Sequence, residues 1–159
     1  MCTRHLRAVT ARNTTLFLRA NSMTGVTIVR GNRKSVLRDK RKDMYSLIKK
    51  NISKGWFKNT MRSSARGNNY AVYNNSGKFA GFAMMGKDLP HLGGSTYLFL
   101  IGARPGKGYG TQLLQQIIRN AQVRGLKYIM LEPTDERVKI WYRRFGFKNV
   151  SNDLMALAL

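Results

Sequence analysis

One stretch constrains this chain more than any other: Leu98-Phe99-Leu100-Ile101-Gly102-Ala103-Arg104-Pro105-Gly106-Lys107-Gly108-Tyr109-Gly110-Thr111-Gln112-Leu113-Leu114. An apolar run stops at a turn rich in glycine that also holds two cations, and an amphipathic helix begins at once. Glycine allows the backbone positive φ and leaves room for a ligand to come close. A helix start leaves backbone N–H groups unpaired, with the positive end of the helix dipole behind them. Together these predict an anion cradle suited to phosphate. The helix runs from about Gly108 to Arg124, with Tyr109, Leu113, Leu114, Ile117, Ile118 and Ala121 as its apolar stripe. Gln112, Gln115, Gln116, Arg119 and Asn120 read as its polar face, and Gly125 as its stop. Tyr128–Leu131 then reads as a strand, so residues 96–131 form a β-α-β unit.

The segments around this unit fit the same kind of fold. Gly25–Arg30 is rich in β-branched residues and reads as a first strand. After the basic stretch Asn32–Lys42, the apolar positions Met44, Leu47, Ile48 and Ile52 recur at helical spacing from Asp43 onward. Gly55 is expected to end that helix, and Trp56 and Phe57 to anchor a connection against the core. Tyr70–Tyr73 and Lys78–Met85 flank Asn74-Asn75-Ser76-Gly77, a hairpin signal. Thr96–Ile101 is apolar nearly throughout, the pattern of a strand buried on both faces. A last helix opens at Thr134-Asp135-Glu136 and ends at Gly146, and Phe147–Val150 and Leu154–Leu159 close the chain as strands. The expected class is α/β, a mixed central β-sheet flanked by helices.

Charge is the second constraint. The chain has 29 Lys and Arg against seven Asp and Glu, a net charge of +22. Residues 1–67 hold 17 of the cations and only two of the acids, Asp39 and Asp43. Such a field attracts polyanions, so nucleic acid is an expected partner of the basic N-terminal half. Met1–Met23 carries Arg4, Arg7, Arg12 and Arg19 with no acid, and reads either as a basic N-terminal arm or as a mitochondrial targeting segment. The rest, residues 24–159, reads as one domain in an intracellular protein, mitochondrial or else cytoplasmic or nucleic-acid-associated. No apolar run approaches the roughly 18 residues of a membrane span. A lone Cys2 and two scattered histidines, His5 and His91, offer no metal site.

The order strand, Gly-Lys-Gly-Tyr-Gly turn, helix, strand, then Trp141-Tyr142-Arg143-Arg144-Phe145-Gly146-Phe147, resembles the GNAT superfamily of N-acetyltransferases. That family binds acetyl-CoA with an Arg/Gln-x-x-Gly-x-Gly/Ala turn and carries a late Tyr-x-x-x-Gly-Phe pattern. The resemblance covers about residues 69–150. It departs at one point: with Gly108 and Gly110 in the two glycine positions, the leading Arg/Gln position falls on Pro105, and Arg104 sits one residue early.

The resemblance implies acetyl transfer from acetyl-CoA, with no metal, to a primary amine on a small molecule or protein. Backbone N–H groups of Gly106, Lys107, Gly108, Tyr109, Gly110 and Thr111 would hold the CoA pyrophosphate, with Arg104 and Lys107 adding charge. The strand edge at Leu100 and Ile101 would pair with the pantetheine arm. The amine would attack the thioester carbonyl directly, and a backbone N–H would stabilise the oxyanion. Tyr142 matches the tyrosine that protonates the leaving thiolate. For the base, the strand Ser95–Ile101 holds no acid. Glu132 is the substitute put forward, with His91, Asp88 or a backbone carbonyl acting through water as alternatives. The rival expectation is a catalytically idle domain of the same fold, a basic component that binds nucleic acid or belongs to a ribosome or virion.

Overall fold

A computed structural model describes residues 16–18 and 25–159, the first three by backbone alone. The elements run β1 (Leu16–Leu18), β2 (Thr27–Gly31), α1 (Arg33–Val36), α2 (Arg41–Ile48), α3 (Lys54–Ser63), β3 (Asn69–Tyr73) and β4 (Phe79–Met85). After them come β5 (Ser95–Ala103), α4 (Tyr109–Val123), β6 (Tyr128–Leu131), α5 (Glu136–Arg143), β7 (Lys148–Asn149) and β8 (Met155–Ala158). The strands form one sheet in the order β1-β2-β3-β4-β5-β6-β8-β7. Its pairs are antiparallel except β5–β6, which is parallel and is bridged by α4, the crossover a parallel pair requires. No helix among the described residues is long and apolar enough to cross a membrane. The basic segment 1–23 lies, but for the backbone of β1, outside the described residues.

Each face of the sheet buries its own core. On one, Leu113, Leu114, Ile117 and Ala121 of α4 pack with Val72, Ala83, Leu98 and Ile129, and α5 adds Tyr142. On the other, Val36, Met44, Ile48, Phe57 and Met61 from α1–α3 pack with Ala71, Phe82, Met84 and Leu100.

Several sequence expectations are corrected. The helix expected from Asp43 to Gly55 is two helices. α2 ends at Ile48, and Ser53 caps a new start by accepting from the Trp56 N–H at 3.2 Å. Gly55 and Phe57 lie inside α3, and Trp56 is 46% exposed rather than an anchor. The apolar periodicity carries across the break and hides it, while the serine cap decides it. The basic stretch 32–42 holds the short helix α1, capped by the Asn32 side chain. Gln116 and Asn120 of α4 are buried, not solvated. Gln116 donates to Asn120 at 3.0 Å, and Asn120 donates to the Tyr70 hydroxyl at 3.3 Å, so the pair fastens α4 to β3. The expectation for β5 holds in part: both of its faces pack on a core, Leu98 and Ile101 on one side and Phe99 and Leu100 on the other, with buried and half-buried residues alternating after the first two.

Candidate active site

The site begins with a change of register in β5. Met84 lies opposite Leu100 and Met85 opposite Leu98, so Phe99 is an extra residue, a β-bulge. Residues two apart on a strand normally share a face. Here Leu98 packs in the core under α4, while Leu100 packs in the core under α2. The bulge coincides with the end of pairing to β6, whose last partner pair is Leu98–Leu131. Two residues further on, Pro133 has no N–H with which to extend the ladder. From Phe99 to Ala103, the β5 edge facing away from β4 therefore has no strand partner. Unpaired backbone edges of this kind accept another extended chain.

A cleft of about 240 Å³ opens along this edge, walled by Phe99–Ala103, Glu132, Pro133, Val138 and Tyr142, and by Leu47, Ile48, Asn51 and Ile52 from α2 and the loop after it. Its floor requires Gly102, where a Cβ would lie 2.8 Å from Ile48 Cγ2 and 2.9 Å from Phe82 Cε1. A second hollow, of about 320 Å³, is lined by Arg104, Pro105, Gly106, Gly108–Thr111 and Trp141. Both are lined by Ile101, Gly102, Ala103 and Val138, so they form one path from the strand edge to the start of α4.

That start is a cradle. Gly106 and Gly108 have φ of 84° and 70°, where side chains are strained, and a Cβ at either would meet nothing within 4 Å. The N–H groups from Gly106 to Thr111 donate to no described acceptor, and the first helical bond is Gln112 N–H to the Gly108 carbonyl at 3.0 Å. These unpaired donors lie at the positive end of a 15-residue helix, beside the second hollow. Arg104 lines the hollow and is anchored by its Nε, which donates to the Phe79 carbonyl at 3.1 Å. Lys107 lines a different depression, against Asn74–Ser76 and Gln112.

Tyr142 sits where the path meets the cleft. It is 5% exposed and packs between Trp141 and Phe147, with ring centroids 4.9 and 5.3 Å away. Burial holds its phenol well above the ordinary value near 10, so it stays protonated. Glu132, at the end of β6, lines the same cleft and is exposed. Tyr97, half-buried on β5, is also pushed upward, first by burial and then by the nearby Glu132 carboxylate. Asp88 and His91 do not line the cleft. Asp88 receives Arg124 Nε at 3.0 Å and Nη2 at 3.2 Å, and His91 is exposed beyond the opposite end of β5. The wall from Leu47 to Ile52 is legible only as core spacing in the sequence. Val138 had a signal, one helical turn before Tyr142 on the same face.

A family model described as an acetyltransferase (GNAT) domain matches residues 66–149. Among solved structures, an acetyltransferase of the GNAT family from Staphylococcus aureus Mu50 superposes with a TM-score of 0.64 at 15% identity, covering 84% of this chain and 99% of the other. The ribosomal-protein-S18-alanine N-acetyltransferase from Escherichia coli gives 0.63 at 20% identity, over 82% and 93%. A GNAT family acetyltransferase from Brucella melitensis in complex with acetyl-CoA gives 0.57 at 16% identity, over 83% and 88%. At these identities the likeness is one of fold. No curated protein matches the sequence.

Proposed function

We propose, from the premise that this chain belongs to the GNAT family of acetyltransferases, that it moves an acetyl group from acetyl-CoA to a primary amine by direct attack. The observation that carries this reading is the continuity of the path. An unpaired strand edge leads from Tyr142 to a cradle of unpaired N–H groups in which positions 106, 108 and 110 are glycine. A pyrophosphate fits the cradle by charge and by donor geometry. A pantetheine arm fits the edge, because its amides can pair with strand backbone as another strand would. The Brucella neighbour solved with acetyl-CoA and the Escherichia coli neighbour that acts on an alanine amine support the same reading.

Acetyl-CoA, when bound, supplies an activated thioester carbonyl; the remaining roles fall to this chain. Leu47, Ile48 and Ile52 exclude water from one side of the cleft and leave room for an acceptor beside Asn51. Glu132, exposed at that mouth, accepts the proton that an ammonium must lose before it can attack. Tyr142, kept protonated by burial, holds the proton that the departing sulfur needs.

Binding is tested by thermal melting. Acetyl-CoA at about 100 times its Kd should stabilise the protein by about 2.7 kcal/mol, raising Tm by roughly 5–10 °C. An unchanged Tm at millimolar acetyl-CoA would remove the cofactor from the account.

A further inference from the structure

We propose that the outer surface of the α1–α3 layer is a docking face for single-stranded nucleic acid, a property separate from acetyl transfer and independent of it. The two helical layers differ sharply in charge. Residues 33–63, which span α1, α2, α3 and the loops between them, hold eleven Lys and Arg, seven of them in the helices, against Asp39 and Asp43. Nine of these cations are exposed, and only Arg33 and Lys40 are half-buried. On the opposite side, α4 and α5 hold four cations, and two of those, Lys139 and Arg143, are paired with Glu136 at 3.7 and 3.3 Å.

The ion pairs confirm the asymmetry. Among the described residues, none involves a cation of residues 33–63; the pairs are Arg124–Asp88, Lys139–Glu136 and Arg143–Glu136. Like charges gathered on one face with only two acids among them repel one another and destabilise the compact state. A polyanion relieves that repulsion and releases its own counterions as it binds. The proposed cofactor does not call for these charges, because its cradle is lined by Arg104 and by no residue of α1–α3.

The arrangement favours a strand with unpaired bases. Lys54, Lys58 and Arg62 follow one another at four-residue intervals on the exposed side of α3, about 6 Å apart along its axis. That row can track successive phosphates. Trp56, on the far flank of the same exposed arc, is 46% exposed and offers a flat face on which a base can stack. An acidic peptide satisfies the charges but supplies no regular series of π-faces for Trp56. The face also reaches the acceptor mouth: Asn51 and Ile52 line the cleft, and Lys49, Lys50 and Lys54 flank them in sequence. A bound strand would therefore pass beside the point where an acceptor enters.

The test is fluorescence anisotropy on the full chain over a range of salt. The probes are a labelled single-stranded RNA, the same sequence as DNA, a duplex, and polyglutamate. Single strands should bind most tightly, with a log–log salt slope of about −0.7 per phosphate neutralised. Replacing Lys54, Lys58 and Arg62 together by Gln should flatten that slope by about 2. Trp56→Ala should weaken binding roughly tenfold and leave the slope unchanged. The control replaces Arg119, Arg137 and Arg143 by Gln and should bind as wild type. Circular dichroism melts report whether each variant is folded, and exposed Lys-to-Gln changes on a helix are well tolerated. Tighter binding of duplex or polyglutamate, equal losses in the two triple variants, or no binding near physiological salt would overturn the proposal.

Discussion

Tyr142 has two properties that pull apart in most proteins: it is part of the core and it lines a cleft. Packing against Trp141 and Phe147 fixes the ring, and the same burial raises the phenol pKa above 10. If it donates to the leaving sulfur, Tyr142→Phe should lower kcat roughly 100-fold with little change in acetyl-CoA affinity. Equal turnover in the variant would take Tyr142 out of the reaction. The raised pKa also has a stability consequence. Above about pH 10 the unfolded chain releases the phenol proton that the folded chain keeps, so stability falls as pH rises further. Tyr142→Phe should reduce that alkaline loss in denaturation series at about pH 9 and about pH 11, and Tyr97 retains its share. At this scale the sequence singled out Tyr142 by the family's Tyr-x-x-x-Gly-Phe pattern and Glu132 as the acid that closes a strand, and both line the cleft. It was silent on Leu47 and Ile48, whose spacing is that of ordinary core.

At the scale of elements, the site depends on the β5 bulge, and the bulge depends on a buried polar side chain. Asn69 has no exposed surface; it donates to the Ser64 and Gly67 carbonyls at 2.8 and 3.1 Å and accepts from Met85 N–H at 3.1 Å. It thereby ties the end of α3 to the backbone of β4 where the register shifts. Asn69→Ala would leave these groups unpaired and should destabilise the protein by about 2–3 kcal/mol in urea denaturation, with loss of acetyl-CoA binding as the bulge relaxes. A change under about 0.5 kcal/mol would show that water replaces the side chain there. The β-α-β unit and the hairpin were legible from glycine turns and apolar runs. The break between α2 and α3 was not, because a 3.6-residue period continued through it and a single serine cap interrupts the backbone. Gln116 and Asn120 misled for a related reason. Polar side chains on a wide buried stripe look solvated in sequence, and only their partner, Tyr70 on β3, shows otherwise.

At the scale of the molecule, the sheet separates two kinds of chemistry. The splayed edge of β5, between the two helical layers, carries the path from cleft to cradle, and the outer surface of the α1–α3 layer carries exposed cations. Net charge was plain in the sequence, but its confinement to one layer became visible only when α1, α2 and α3 were seen to share a face. The domain fold follows from the family, whereas the proposed turnover calls on three groups that line one cleft: the β5 edge, Tyr142 and Glu132. The most direct test of that claim is mass-resolved detection of acetylated product after incubating the protein with acetyl-CoA and pooled small amines and peptides. Amine-linked acetyl groups are expected on a subset of acceptors, formed at a rate that depends on Tyr142. Cofactor-induced stabilisation with no acetylated amine in any pool would contradict that claim and leave a domain that binds but does not transfer.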